Sequence, residues 1–247
     1  LPETDLELLV RAAHAAAETA TRHVGRPLTV TEKPGGQGPV TDADLAVNDT
    51  LSGVLQTARP AYGWLSEESA LDPTRAFAPR TFIVDPIDGT RSFIDGGEVW
   101  AHSLAVAEGD AIVAAVVYLP MTGKLYTAER GAGAALNGAP IRVSGRQRLE
   151  GARVLATAPN MAPRFWPEGV PDVRRSYRPS LAYRMCLVAD GSFDAMWTFR
   201  DTWEWDIAAG ALIVAEAGGR VTDGTGAPLR FVTDRAMADG VWAGVGR

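Results

Sequence analysis

Apolar residues at the start of the chain recur every three or four positions. Leu6, Leu9, Val10, Ala13 and Ala16 share one face, and Thr4 with Glu7 three residues on forms a capping-box signature. This predicts a helix over residues 4–23. A Gly- and Pro-rich loop covers 33–39. Thr41 can then cap a second helix carrying Leu45, Leu51, Val54 and Leu55, with Asp42 and Asp44 in its first turn. After that helix the period changes. Thr81–Val84 is short, apolar and partly β-branched, and it runs straight into Asp85. Ser103–Ala107, Ala111–Tyr118 and Lys124–Ala128 are separated by the turn signals Glu108-Gly109-Asp110 and Met121-Thr122-Gly123, which predicts consecutive antiparallel strands. Gly131–Gly138 reads as a turn region of small residues.

The second half opens with a strand near Arg153–Ala156, followed by a polar, Pro-rich loop over 159–171. Leu181–Ala189 is apolar and helix-like. Asp206–Ala217 predicts an Ala-rich helix stopped by Gly218-Gly219, and residues 219–222 and 241–245 read as closing strands. Helices layered on antiparallel-rich sheets make the fold class α+β. The 247 residues are read as one domain over 1–247, enough to bury a substantial core. Residues 1–150 form the half that carries the candidate metal site, and 151–247 supply Asp206 and substrate contacts.

Composition narrows the function. The net charge is −6 and no Lys/Arg block stands out, which argues against a nucleic-acid polymer as partner. A phosphate ligand meeting an acidic protein needs a cation between them. No apolar stretch has the length of a membrane span. The lone cysteine, Cys186, lies in an apolar run and reads as a small buried hydrophobe; without an intramolecular partner it suits a reducing compartment, and a cytoplasmic location is expected. His14, His23 and His102 receive no chemical role.

The densest polar cluster is Asp85-Pro86-Ile87-Asp88-Gly89-Thr90. An apolar strand ends on one carboxylate, Pro86 interrupts pairing, and a second carboxylate follows three residues later. Two carboxylates and a free carbonyl in one small volume suit a hard divalent cation such as Mg²⁺. A helix opening at Gly89-Thr90 would turn its free amides to the same place, where they can bind phosphate. Ser66-Glu67-Glu68-Ser69, taken alone, is a solvated helix start. Asp206, in Trp203-Glu204-Trp205-Asp206-Ile207, serves equally well as a helix cap or as a ligand. Thr41 and the acids Asp42 and Asp44 are explained by helix capping.

Together these segments resemble the inositol monophosphatase family, which includes 3′(2′),5′-bisphosphate nucleotidases. The matching residues are Val40, Thr41 and Asp44; Glu67-Glu68-Ser69; Asp85-Pro86-Ile87-Asp88-Gly89-Thr90; and Trp205-Asp206-Ile207-Ala208-Ala209-Gly210. The resemblance implies a layered αβαβα sandwich, a homodimer, and two to three Mg²⁺ ions per site. By position, Glu67, Asp85 and the Ile87 carbonyl would hold the first ion, and Asp85, Asp88 and Asp206 the second. A third, weaker ion would use Glu67. Thr90 would position the attacking water with help from Asp44, and Asp88, Gly89, Thr90 and Asp206 would adjoin the substrate. Lithium inhibition is expected on the same ground. Asp88→Asn and Asp206→Asn are both expected to abolish turnover while leaving the fold nearly intact.

The resemblance implies that the substrate is a small phosphorylated metabolite. Inositol monophosphatases carry a glutamate six or seven residues before the aspartate of the Trp-Asp motif, whereas this chain has Met196-Trp197-Thr198-Phe199-Arg200 there, with no acid. Arg184 is either a surface arginine or the receptor of a second, non-reacting phosphate. Three readings follow: a phosphatase for an inositol monophosphate or a related sugar-alcohol phosphate, a phosphatase for 3′-phosphoadenosine 5′-phosphate, or a catalytically idle metal-binding partner protein.

Overall fold

The computed structural model describes residues 2–245 apart from Pro34, Gly36 and Gln37, so part of the expected 33–39 loop lies outside the described residues. Helix α1 (Asp5–Thr21) starts as expected: Thr4 Oγ1 accepts from the Glu7 amide, and the Glu7 carboxylate accepts from the Thr4 amide. A short hairpin, β1 (Val30–Glu32) and β2 (Pro39–Thr41), leads into α2 (Asp42–Ala58), which repeats the device with Thr41 and Asp44. The two helices bury Leu8, Leu9, Leu51 and Leu55 against one face of a seven-stranded sheet.

That sheet contains β3 (Gly63–Ser66), β4 (Thr81–Asp88), β5 (Ala101–Glu108), β6 (Ala111–Leu119), β7 (Lys124–Glu129), β8 (Gly133–Leu136) and β9 (Ala139–Pro140), in chain order. β3 runs parallel to β4, and every later neighbour is antiparallel. The region expected as a small-residue turn over 131–138 is a strand in its middle: Ala134 and Ala135 pair with Ala128 and Thr127. Alanine is a weak strand former, so pairing decides the outcome there rather than propensity.

The other face of this sheet packs on α4 (Leu181–Ala189) and α5 (Glu204–Glu216), which in turn pack on a five-stranded sheet. The second sheet orders β11 (Val173–Ser176), β10 (Ala152–Leu155), β12 (Ala195–Trp203), β14 (Met237–Val245) and β13 (Gly219–Thr222). On its outer face, Val154 and Trp197 are covered by a segment with two 3₁₀ turns, Ala158–Met161 and Pro163–Phe165. The layers therefore follow the expected sandwich, with 3₁₀ turns in place of a full outer helix. α5 is apolar around its whole circumference because a layer lies on each side of it. Gly210 lets α4 approach: a Cβ there would lie 2.7 Å from Met185 Cβ.

Candidate functional site

β4 carries the first part of the site. Its pairing with β5 holds from Thr81 to Asp85, breaks, and resumes at Asp88 opposite Ala101. Pro86 cannot donate to the ladder, so the strand bulges there, and bulges re-aim side chains. The bulge is held from below by His102, whose Nδ1 donates to the Pro86 carbonyl at 2.5 Å. His102 is fully buried and its pKa is pushed down to about 4 by that burial. It stays neutral, with Nε2 unpartnered.

Asp85 and Asp88 leave this bulge on the side where Asp206 approaches from the first turn of α5. One ligand oxygen from each of the three lies within 4.8 Å of the others. Asp206 is the third residue of α5 and makes no capping bond; Trp203 occupies the cap position. The capping alternative for Asp206 is therefore set aside. Asp85 is 1% exposed, and its Oδ1 is buried without any partner among the described residues. Burial, then the charges of Glu67, Asp88 and Asp206, push Asp85 well above the ordinary carboxylate range. Burial likewise raises Asp206, followed by the charges of Asp88 and Glu67. A cluster of this kind is unfavourable as bare anions and favourable around a cation. The orphaned oxygen and the all-oxygen donor set fit a hard divalent ion.

Asp88 differs from the other two. Its Oδ2 accepts from Ser180 Oγ and the Ala182 amide, both at 2.6 Å, and its Oδ1 accepts from the Leu181 amide at 3.2 Å. Ser180 caps α4, so Asp88 sits at that helix's N-terminus and ties the two halves of the chain together. Ser180 escaped the sequence reading, although a serine just before the apolar run from Leu181 is a capping signal.

Glu67 stands beside Asp85 electrostatically but outside the three-carboxylate group. Its Oε1 accepts from Lys33 Nζ at 2.8 Å, and Lys33 also reaches Glu68 Oε1 at 2.6 Å. Burial works against the Lys33 charge, but the two glutamates prevail and raise its pKa. Burial lifts Glu68 to about 7. Nothing in the Gly/Pro-rich loop sequence marked Lys33 for this place.

Thr90 opens the short helix α3 (Thr90–Ile94) after Gly89, whose φ of +102° suits glycine. Thr90 Oγ1 lies 3.3 Å from Asp44 Oδ1 and 3.1 Å from the Ile87 carbonyl oxygen. Asp44 is held at its other oxygen by the Thr41 amide and hydroxyl, at 2.8 and 2.6 Å. Burial raises the Asp44 pKa. Thr90 and Asp44 thus lie within hydrogen-bond distance, and the same Asp44 side chain completes the helix cap.

Glu67, Asp85, Ile87, Asp88, Gly89, Thr90 and Asp206 line one cavity of about 760 Å³, which also takes in Arg91, Arg164, Phe165, Tyr177, Arg184, Phe199, Arg200 and Trp203. Arg184 is buried, not a surface residue. Nε donates to the Arg178 carbonyl at 2.5 Å, Nη2 to the Pro179 carbonyl at 3.2 Å, and the guanidinium lies 4.6 Å from the Tyr177 ring centroid. Trp203 and Trp205 stack on each other at 4.7 Å, so Trp205 is a packing residue. Cys186 is buried in the core, and burial raises its thiol well above the ordinary value.

Fold and site together define an α+β layered protein with a buried carboxylate cluster able to hold metal. A profile of the inositol monophosphatase family matches residues 2–243, and the chain belongs to that family. It is 38% identical over 238 residues to an inositol-1-monophosphatase of Rhizobium meliloti, covering 91% of this chain and 88% of that protein. It is 37% identical over 237 residues to Nus factor SuhB of Pseudomonas aeruginosa, covering 90% and 86%. The crystal structure of the extragenic suppressor protein suhB from Bartonella henselae superposes with a TM-score of 0.83 at 35% identity, covering 96% of this chain and 92% of the other. An IMPase from Thermotoga maritima gives a TM-score of 0.84 at 29% identity, over 97% and 91%.

Proposed function

We propose that this protein is a Mg²⁺-dependent phosphomonoesterase that hydrolyses a small phosphorylated metabolite by direct attack of water. The supporting observation is the convergence of Asp85, Asp88 and Asp206, with Asp85 Oδ1 buried and unpartnered, next to the Thr90–Asp44 pair. Two to three Mg²⁺ ions, held by Glu67, Asp85, the Ile87 carbonyl, Asp88 and Asp206, would lower the pKa of water and neutralise charge on the phosphoryl oxygens.

The chain's own groups orient the reaction. Thr90 Oγ1 accepts a hydrogen bond from the attacking water and passes its own proton toward Asp44 Oδ1. Asp44 can receive it because burial raises its pKa while Thr41 fixes its geometry. The water oxygen bonds to phosphorus as the ester P–O bond breaks, and the departing alkoxide takes up a proton from solvent, giving an alcohol and inorganic phosphate, while Asp44 returns its proton to solvent. The Gly89 and Thr90 amides are proposed to hold the phosphoryl oxygens. No covalent phosphoenzyme is required. Lithium inhibition, homodimer assembly and a cytoplasmic location belong to the same proposal. Among the described residues, no helix is long and apolar enough to cross a membrane.

The test is phosphate release from a panel of phosphomonoesters with Mg²⁺ and with a chelator. Release that requires Mg²⁺ and is lost in Asp85→Asn supports the reading. The non-enzymatic alternative draws on the relative named Nus factor SuhB; absence of release from every substrate would favour it.

A further inference from the structure

A second cavity, of about 500 Å³, lies on the five-stranded sheet, and among the described residues it shares no lining residue with the carboxylate cavity. Strand alternation gives it its shape. Ala195 on β12 pairs with Gly244 on β14, and two positions along Trp197 pairs with Trp242, so all four side-chain positions share one face. The small pair leaves a hollow, and the indole pair raises a wall beside it. β13 sets Arg220 next to Gly244 and Thr222 next to Trp242, and Ala152 on β10 extends the floor.

The walls are held in place by contacts of their own. The Trp197 and Trp242 rings lie 5.4 Å apart, and Trp166 packs against both, at 5.2 and 5.7 Å. The turn over 223–226 is tied down by the Gly224 amide, which donates to the Asp239 carbonyl at 2.8 Å; a Cβ on Gly224 would lie 2.7 Å from that oxygen. The loop before β10 folds on itself, because Arg146 Nε donates to the Arg148 carbonyl at 2.8 Å and Nη2 to the Glu150 carbonyl. A preformed hollow of this volume, with an apolar floor, an aromatic wall and a few polar groups, has the form of a small-molecule site.

The polar groups of the lining set the charge of the ligand. Both acids are already engaged. Asp194 accepts from the Arg153 amide at 2.7 Å and from its guanidinium at 3.1 Å. Asp223 turns Oδ1 into its own turn, toward the Thr225 amide and hydroxyl and the Ala227 amide. Donors are left over. Arg220 spends one nitrogen on the Gly226 carbonyl at 3.4 Å. Among the described residues no hydrogen bond or ion pair engages the Arg148 guanidinium, and the buried Nε1 atoms of Trp197 and Trp242 have no acceptor. An excess of donors over acceptors asks for a ligand that brings acceptors, and guanidinium groups favour a planar anion.

We propose that this hollow is a binding site for a small aromatic carboxylate, with the ring over Ala195 and Gly244 against the tryptophan wall and the carboxylate received by Arg148 and Arg220. A neutral ring would leave the guanidinium groups unmatched, and an inorganic anion would leave the apolar floor wet. The inference does not depend on the phosphomonoesterase reading, because the two cavities are separate.

Isothermal titration calorimetry on the whole chain tests it. The probes are benzoate, 1-naphthoate and indole-3-carboxylate, with 1-naphthalenemethanol as the neutral ring and acetate as the anion without a ring. At least one of the three acids is expected to saturate one site, about tenfold or more tighter than the alcohol and than acetate, since each control lacks one half of the contacts. Arg220→Gln should weaken that binding about tenfold or more, the size of a lost hydrogen bond to a charged group, and its exposed side chain is not needed for folding. Ala195→Leu should weaken it at least as much by filling the hollow. Arg200→Gln, in the other cavity, should change it less than about twofold, as expected of a site with no shared partner. No saturable binding of any acid, equal binding of the alcohol or of acetate, or binding that either hollow variant leaves intact would overturn the inference. A loss in Arg200→Gln equal to that in Arg220→Gln would overturn it too.

Discussion

Asp88 and Asp206, both proposed as metal ligands, should have different effects on the fold when each is exchanged for asparagine. Among the described residues the Asp206 side chain makes no hydrogen bond, and burial, followed by the charges of Asp88 and Glu67, raises its pKa. Asp206→Asn removes a negative charge and no partner, so without metal the stability should stay within about 0.5 kcal/mol of wild type or rise slightly. Asp88 accepts three hydrogen bonds at the N-terminus of α4. An asparagine offers one acceptor oxygen, so at least the Leu181 or the Ala182 amide would face an NH₂ group. Losing one hydrogen bond to a charged acceptor costs about 1.5–3 kcal/mol, and the lost interaction with the helix N-terminus adds to it. Removing the buried charge offsets part of that, because burial already disfavours ionised Asp88. A net loss of about 1–3 kcal/mol remains. The assay is urea unfolding in EDTA, followed by circular dichroism. With a slope of about 3 kcal/mol/M, a 2 kcal/mol loss lowers the midpoint by roughly 0.7 M. Equal midpoints for the two variants, or a larger loss in Asp206→Asn, would show that the Asp88 hydrogen bonds to α4 do not set the difference. The sequence expectation that both variants keep the fold nearly intact is thereby revised for Asp88.

Three further outcomes follow from the same contacts. His102 is buried neutral with its pKa lowered to about 4, so its contribution is fully present above pH 6.5 and is lost as pH falls toward 4, by about 3 kcal/mol at that pH; His102→Asn keeps a donor for the Pro86 carbonyl without titrating, and a parallel fall in urea midpoint for both proteins between pH 6.5 and 4 would contradict this. Gly210→Ala gains about 1 kcal/mol of helix propensity, but its Cβ must enter the space of Met185, where overpacking costs about 1–3 kcal/mol, so a lower thermal midpoint is expected and a higher one would show that α4 yields freely. Thr90→Ala should lower kcat about 10²-fold or more with little change in unfolding midpoint, whereas Thr90→Ser should restore most of it; a fully active Thr90→Ala would remove Thr90 from the water-orienting role.

Local signals made much of this structure legible from sequence. The capping boxes at Thr4 and Thr41 lie within four residues, and both helices begin there. The hexapeptide from Asp85 to Thr90 carries its own geometry, since Pro86 breaks the ladder wherever the strand is placed. Asp206 could be assigned to the site only by resemblance, because its own surroundings allow a cap. The unread parts depend on contacts distant along the chain. Ser180 reaches Asp88 across 92 positions. β12 escaped the sequence reading because its edge of the alternation falls in a bulge, where Phe199 and Arg200 leave the period. Arg184 was open between surface and site because burial of a guanidinium depends on carbonyls supplied by the loop before its own helix.

Carboxylates from three separate segments are proposed to hold divalent cations together. Crystals soaked in Mn²⁺, with anomalous differences recorded at the manganese edge, test it most directly. At least two peaks are expected, bonded to the oxygens of Asp85, Asp88 and Asp206, one of them also reaching the Ile87 carbonyl, with Lys33 displaced from Glu67 where an ion takes its place. A map without a peak among those three aspartates, at a concentration that supports full phosphate release, would contradict it.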